Sequence, residues 1–121
     1  MEPHINEIVP DWAFGAGCAI TVADAECRII YMNELSRSTF AARGGAALIG
    51  HNLMDYHNPR SRAIIRRLLD EGGTNAYTIE KAGMRKMIFQ SAWRDAESGA
   101  VAGLVEISMV IPADMPHYVR Q

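Results

Sequence analysis

What this chain lacks narrows its roles first. No apolar stretch approaches the ~20 residues that a membrane-spanning helix needs. The opening Met1-Glu2-Pro3-His4 is acidic and has no apolar signal region, so a cytoplasmic address without membrane insertion is expected. A basic surplus is also missing: 12 Lys and Arg stand against 14 Asp and Glu, a formal net charge of −2. A dedicated nucleic-acid binder carries the opposite balance, so no direct nucleic-acid partner is expected. Cysteine is scarce, with only Cys18 and Cys27 on either side of a predicted turn. A cross-strand bond between them is conceivable, but two free thiols suit a reducing compartment.

Catalytic signatures are absent too. No Ser-His-Asp, Cys-His or Gly-rich phosphate loop stands in a credible context, and Gly44-Gly45 and Gly72-Gly73 read as helix stops. The expectation is therefore a protein that is not an enzyme. What remains is a chain of 121 residues, 49% hydrophobic and 21% charged, which suits one soluble domain with one core.

Within it, Ile20 and Val22 precede the polar turn Asp24–Cys27, and Ile29-Ile30-Tyr31-Met32 follows it. β-branched and aromatic residues on both sides of a short polar turn predict a hairpin, with strands over 18–23 and 28–32. Asn33 then suits the cap of a helix over 34–42, with Leu35 and Phe40 facing inward. Ala46–Ile49 makes a further short turn, stopped by Gly50. Asn58-Pro59 is a strong helix start, and Ile64, Ile65, Leu68 and Leu69 fall on one face of the helix that follows. Thr74–Lys81, Arg85–Arg94 and Ala102–Ile111 read as three strands in meander. This order predicts an α+β fold with a five-stranded antiparallel sheet and short helices packed on one face. Residues 1–16 form an arm or cap, 17–112 the domain, and 113–121 a tail.

These pieces, in this order, resemble a PAS domain. The likeness rests on Asp24…Ile29-Ile30-Tyr31-Met32-Asn33, on Leu48-Ile49-Gly50-His51-Asn52-Leu53, on the helix after His57-Asn58-Pro59, and on Arg94-Asp95…Gly99 leading into Gly103-Leu104-Val105-Glu106-Ile107. Cys27 departs from it, standing where many relatives carry Gly in the turn. The resemblance implies a sensory or interaction module, with a small molecule or cofactor between helices and sheet and an outer sheet face that mediates dimerisation.

It also bears on the cofactor. Flavin photosensors of this kind carry a reactive Cys directly after the Asn of Gly-x-Asn, and here Gly50-His51-Asn52 is followed by Leu53, so no flavin adduct is expected. Haem relatives take an axial His from the long helix, and Pro59–Glu71 has none, so haem is not expected either. His57 suits a backbone hydrogen bond at the helix start, or contact with a polar ligand. His51, Asp55 and His57 lack a fourth metal ligand nearby, so no metal is expected. The identity of any cofactor stays open.

The cavity candidates are Asn33, Phe40, Asn52, Leu53, Tyr56, His57, Ile88, Gln90, Val105 and Ile107. On the last strand, Glu106 and Ser108 mark one side as polar, which points Val105 and Ile107 inward; similarity to cofactor-binding relatives also aims Val105 at the cavity. On the preceding strand the family register places Ile88 and Gln90 inside and Met87, Phe89 and Trp93 outside. That outer apolar set needs a cover, either the arm residues Ile8, Val9, Trp12 and Phe14 or a second copy of the chain. A homodimer and a separate signalling partner or output domain are expected. Arg60, Arg62, Arg66 and Arg67 crowd one helix, with Asp70 and Glu71 placed for i,i+4 ion pairs with Arg66 and Arg67; a solvated face accounts for them. Two functions fit: a sensor that responds to a ligand in the cavity, and a ligand-free interaction module with a filled core.

Overall fold

The computed structural model describes residues 10–121, so Ile8 and Val9 lie outside the described residues. Along the chain come helix α1 (Asp11–Phe14), strands β1 (Ala19–Asp24) and β2 (Ile29–Met32), and helix α2 (Glu34–Thr39). Three 3-10 turns follow (Ala41–Arg43, Gly45–Leu48, Leu53–Tyr56), then helix α3 (Pro59–Glu71) and strands β3 (Thr74–Lys81), β4 (Met84–Arg94) and β5 (Val101–Ile111). The strands form one antiparallel sheet in the order β2-β1-β5-β4-β3.

Local chemistry explains the turns. Asp24 Oδ1 accepts hydrogen bonds from the backbone N–H of Glu26 (3.0 Å) and Arg28 (2.9 Å), closing the β1–β2 hairpin. Cys27 takes φ +66°, the left-handed conformation that favours glycine. Burial of its side chain in the core offsets the strain and pushes its thiol pKa up. Both cysteines are free. The β3–β4 hairpin has a two-residue loop with Ala82 at φ 53° and Gly83 at φ 77°, the geometry of a type I′ turn. Ala82→Asn should raise stability by about 0.5–1 kcal/mol, because Asn tolerates this conformation and alanine does not. Chemical denaturation checks it, and an unchanged midpoint would contradict it.

Asn33 caps α2 by accepting from the Ser36 N–H (3.0 Å), and the same oxygen accepts from the Ile20 N–H (2.8 Å). Its amide donates to the carbonyls of Ala13 (3.1 Å) and Cys18 (2.9 Å). One buried amide thus ties α1, β1 and α2 together. Leu35, expected inward, is 40% exposed. The inward position of this short helix belongs to Ser36, whose hydroxyl meets that of Thr21 at 2.6 Å. Asn58 caps α3 through the Ser61 N–H (2.9 Å), and Pro59 occupies its first turn.

Ile65 and Leu68 of α3 are fully buried in one core with Ala23, Ile29, Met32 and Leu104 of the sheet. Each such side chain contributes about 1.5–3 kcal/mol. Arg66, Arg67, Asp70 and Glu71 are exposed, and the expected i,i+4 pairs do not form among the described residues.

Candidate ligand-binding cavity

Between the helical segments and the inner sheet face lies a cavity of about 380 Å³, within the roughly 300–1,000 Å³ usual for small-molecule sites. Antiparallel register decides which side chains reach it. One cross-sheet rung runs Asn75–Gln90–Glu106–Thr21–Met32, each residue paired with the next. Opposed residues share a face, so Glu106 looks the same way as Met32, which lines the cavity. Ser108, two residues on and opposite Ile88, faces it too.

This corrects the sequence reading of β5. Val105 and Ile107 point to the reverse face, opposite Val22 and Ile20 of β1. Polarity was taken for exposure at Glu106 and Ser108, and the pairing with β4 also carries a register shift between Trp93 and Arg94. Arg94 pairs with Val101 but Trp93 pairs with Gly103, so one residue of β5 is skipped.

Of the other candidates, Phe40, Leu53, Tyr56, His57 and Ile88 line the cavity. Asn33 and Asn52 do not. Asn33 is committed to the four backbone bonds described above, and Asn52 is exposed and caps the Leu53–Tyr56 turn through the Met54 N–H (2.8 Å). Gln90 is buried within the sheet's polar rung without reaching the wall: its Oε1 accepts from Asn75 Nδ2 (3.0 Å) and its Nε2 donates to Glu106 Oε2 (2.9 Å). On the outer face, Met87, Phe89 and Trp93 are half-buried. The Trp93 indole N–H donates to the Ala23 carbonyl at 2.9 Å. Trp12 is 74% exposed, and Phe14 lies beneath the Arg37 guanidinium, 5.2 Å from its ring centre.

The chemical centre is a pair that the sequence did not reveal. His57 Nδ1 donates to the Leu53 carbonyl (2.9 Å), which turns Nε2 toward Glu106 Oε2 at 3.4 Å. The side chains are only 14% and 12% exposed. The Glu106 hydrogen bond raises the His57 pKa above its ordinary value, outweighing the burial that lowers it. For Glu106, burial is the largest single influence and pushes upward, but hydrogen bonds from His57 and Gln90 together hold its pKa below the ordinary value. Thr21, Ile29, Arg43, Tyr77, Lys86 and Ser108 are further lining residues missed from sequence.

A pH dependence follows from the two shifts. His57, with its folded pKa raised above 6.5, contributes stability fully below pH 6.5 and loses it as pH rises through the folded value. Glu106, with its folded pKa lowered from 4.5, contributes fully above pH 4.5 and loses it as pH falls through the folded value. Stability from this pair is therefore greatest between pH 4.5 and 6.5. Thermal denaturation across pH should show that plateau, and a Glu106→Gln variant should flatten it; identical profiles would contradict the pairing.

The sequence profile of the PAS fold family matches residues 15–111. Among solved structures, the Aer2 receptor of Vibrio cholerae, a dual PAS-haem oxygen sensor, aligns at 20% identity over 78% of this chain and 95% of that one, with a TM-score of 0.61. The PAS domain of the histidine kinase ThkA aligns at 16% identity over 76% and 97%, TM-score 0.63. VqmA bound to DPO aligns at 12% identity over 90% of this chain and 58% of that one, TM-score 0.66. No curated protein matches the sequence. A five-stranded antiparallel sheet with short helices on one face, and a chamber between them, defines the class. This chain belongs to the PAS fold family.

Proposed function

We propose that this PAS domain is a sensory module: a small molecule occupies the chamber, and its arrival is relayed through the outer sheet face to a second copy or a signalling partner. The observation that carries this reading is the cavity's mixed lining. Ile29, Met32, Leu53 and Ile88 offer an apolar body, while Glu106 and Ser108 present polar groups toward it. Burying a carboxylate is costly even when His57 and Gln90 pair with it, and packing alone calls for none.

The relay has a physical route. Glu106 is joined through Gln90 to Asn75 across three strands, so a contact at Glu106 bears on β3, β4 and β5 together. A ligand shifts the sheet only if it binds one arrangement better than another. The outer face carries half-buried Val105, Ile107, Phe89 and Met87, an apolar surface suited to a homodimer that buries about 1,000 Å² or more. The similar fold of VqmA, which forms a dimer and in one structure binds DPO, supports both halves of the reading. A haem-based version draws little from the site, because both His57 nitrogens are engaged, by Leu53 and by Glu106.

Native mass spectrometry of gently released protein tests it, with sedimentation before and after ligand removal. A stoichiometric bound molecule and a ligand-dependent association constant are expected. A clean apo mass with no thermal shift across a metabolite panel would leave the second reading, a ligand-free interaction module, which the apolar outer face also suits.

A further inference from the structure

The cavity's charges are unevenly placed. Glu106 is its one carboxylate, and His57 answers it. Arg43, Lys81 and Lys86 also line the cavity, and none of them has an acidic partner among the described residues. Lys86 stands opposite Ile79 in the β3–β4 hairpin, and Lys81 lies two residues beyond Ile79, so strand alternation puts both lysines on the inner face. Arg43 approaches from the helical side, its guanidinium 5.7 Å from the Tyr56 ring centre. Three cations from two layers thus line one cavity, the lysines on the β3–β4 hairpin and Arg43 near enough to His57 to press its pKa down.

At the Gln90–Glu106 rung the requirement reverses. Glu106 Oε2 is engaged by Gln90 and His57, but Oε1 has no hydrogen-bond partner among the described residues. It stands as an acceptor on the wall, and the Ser108 hydroxyl is the next polar group on that face. Between these poles the rung Tyr77–Ile88–Ser108 adds two hydroxyls to a wall that Phe40, Ile79 and Ile88 otherwise make apolar. Along β4, Lys86 is four residues from Gln90, about 13 Å of strand, and the jointed lysine side chain shortens that span.

We infer that the chamber selects a small organic acid of about one ring, its anionic group held by Lys81 and Lys86 and its far end donating a hydrogen bond to Glu106. This rests on the cavity reading above and adds the ligand class. It explains why a chain of net charge −2 collects cations around a partly apolar cavity. Such a cation set favours anion entry and does so less at high salt.

The test is a titration of the full chain, followed by NMR, with three matched probes: 4-hydroxybenzoate, 4-hydroxybenzamide and benzoate. The expected order is 4-hydroxybenzoate tightest, by about tenfold over the amide, which lacks the charge, and severalfold over benzoate, which lacks the donor; a factor of ten corresponds to about 1.4 kcal/mol. The gap to the amide should narrow as ionic strength rises from about 0.01 M to 1 M, where the screening length falls from about 30 Å to 3 Å. A Lys81→Gln/Lys86→Gln variant should lose the anion preference and keep its affinity for the amide. If the amide binds as tightly as the acid while Ile88 shifts, the ligand class is wrong and the cavity reading stands. If no probe perturbs Ile88, Leu53 or Met32, the ligand class is wrong, and the native mass and metabolite panel decide the cavity reading.

Discussion

Gly103→Ala is expected to destabilise the domain by about 3 kcal/mol or more, at the upper end of what overpacking costs. A Cβ at this position would collide with the Ala23 carbonyl oxygen and the Trp93 indole. The first of these is backbone and cannot swing aside. The same carbonyl accepts the Trp93 N–H at 2.9 Å, so displacing the indole would also leave a partly buried donor and acceptor unpaired. Gly103 lies beside the bulge between β4 and β5, and strain there threatens the register of the sheet as well as its packing. Urea denaturation reads the loss directly. A shift under about 1 kcal/mol would show that the β1–β5 contact is looser than described, since even moderate overpacking costs that much.

The second large effect belongs to Glu106. Glu106→Ala should cost about 3 kcal/mol, because it leaves the Gln90 amide and the His57 ring without their shared acceptor in a site little open to water. Glu106→Gln separates charge from shape. It keeps an oxygen for Gln90 and removes the attraction that raises the His57 pKa. With that attraction gone, the burial that lowers the His57 pKa prevails. The His57 ring should then titrate below 6.5 in the variant and above 6.5 in the wild type. An NMR pH titration of the ring protons decides it. Equal values in both proteins would mean that the two side chains do not interact.

Much of the fold was legible because its punctuation is chemical and local. Asn33, Asn58-Pro59 and Gly72 mark helix ends by capping rules that need no tertiary context. The succession of strands and helices along the chain followed from hydrophobic patterning and turn residues. The cavity was harder to read. Glu106 and Ser108 looked like solvent-facing residues, because polarity usually means exposure. Here a polar-lined chamber inverts that rule, and the bulge at Trp93/Arg94 shifts the pairing by one residue, a change no composition signal announces. Leu35 misled in the opposite sense: an apolar residue at a plausible inward position gave way to Ser36, whose partner Thr21 lies 15 residues away in sequence. Both errors have one source. Side-chain polarity reports the average environment of a residue type, whereas register sets where a particular side chain points.

Methyl-resolved NMR during titration with a fragment library tests most directly whether the inner side of this sheet is the one that receives a ligand. The account predicts that the first shifts appear at Ile29, Leu53, Ile88 and Met32, while Val105 and Ile107 on the far side stay still or move later. Shifts confined to Val105, Ile107 and Val22, with silent cavity methyls, would contradict it.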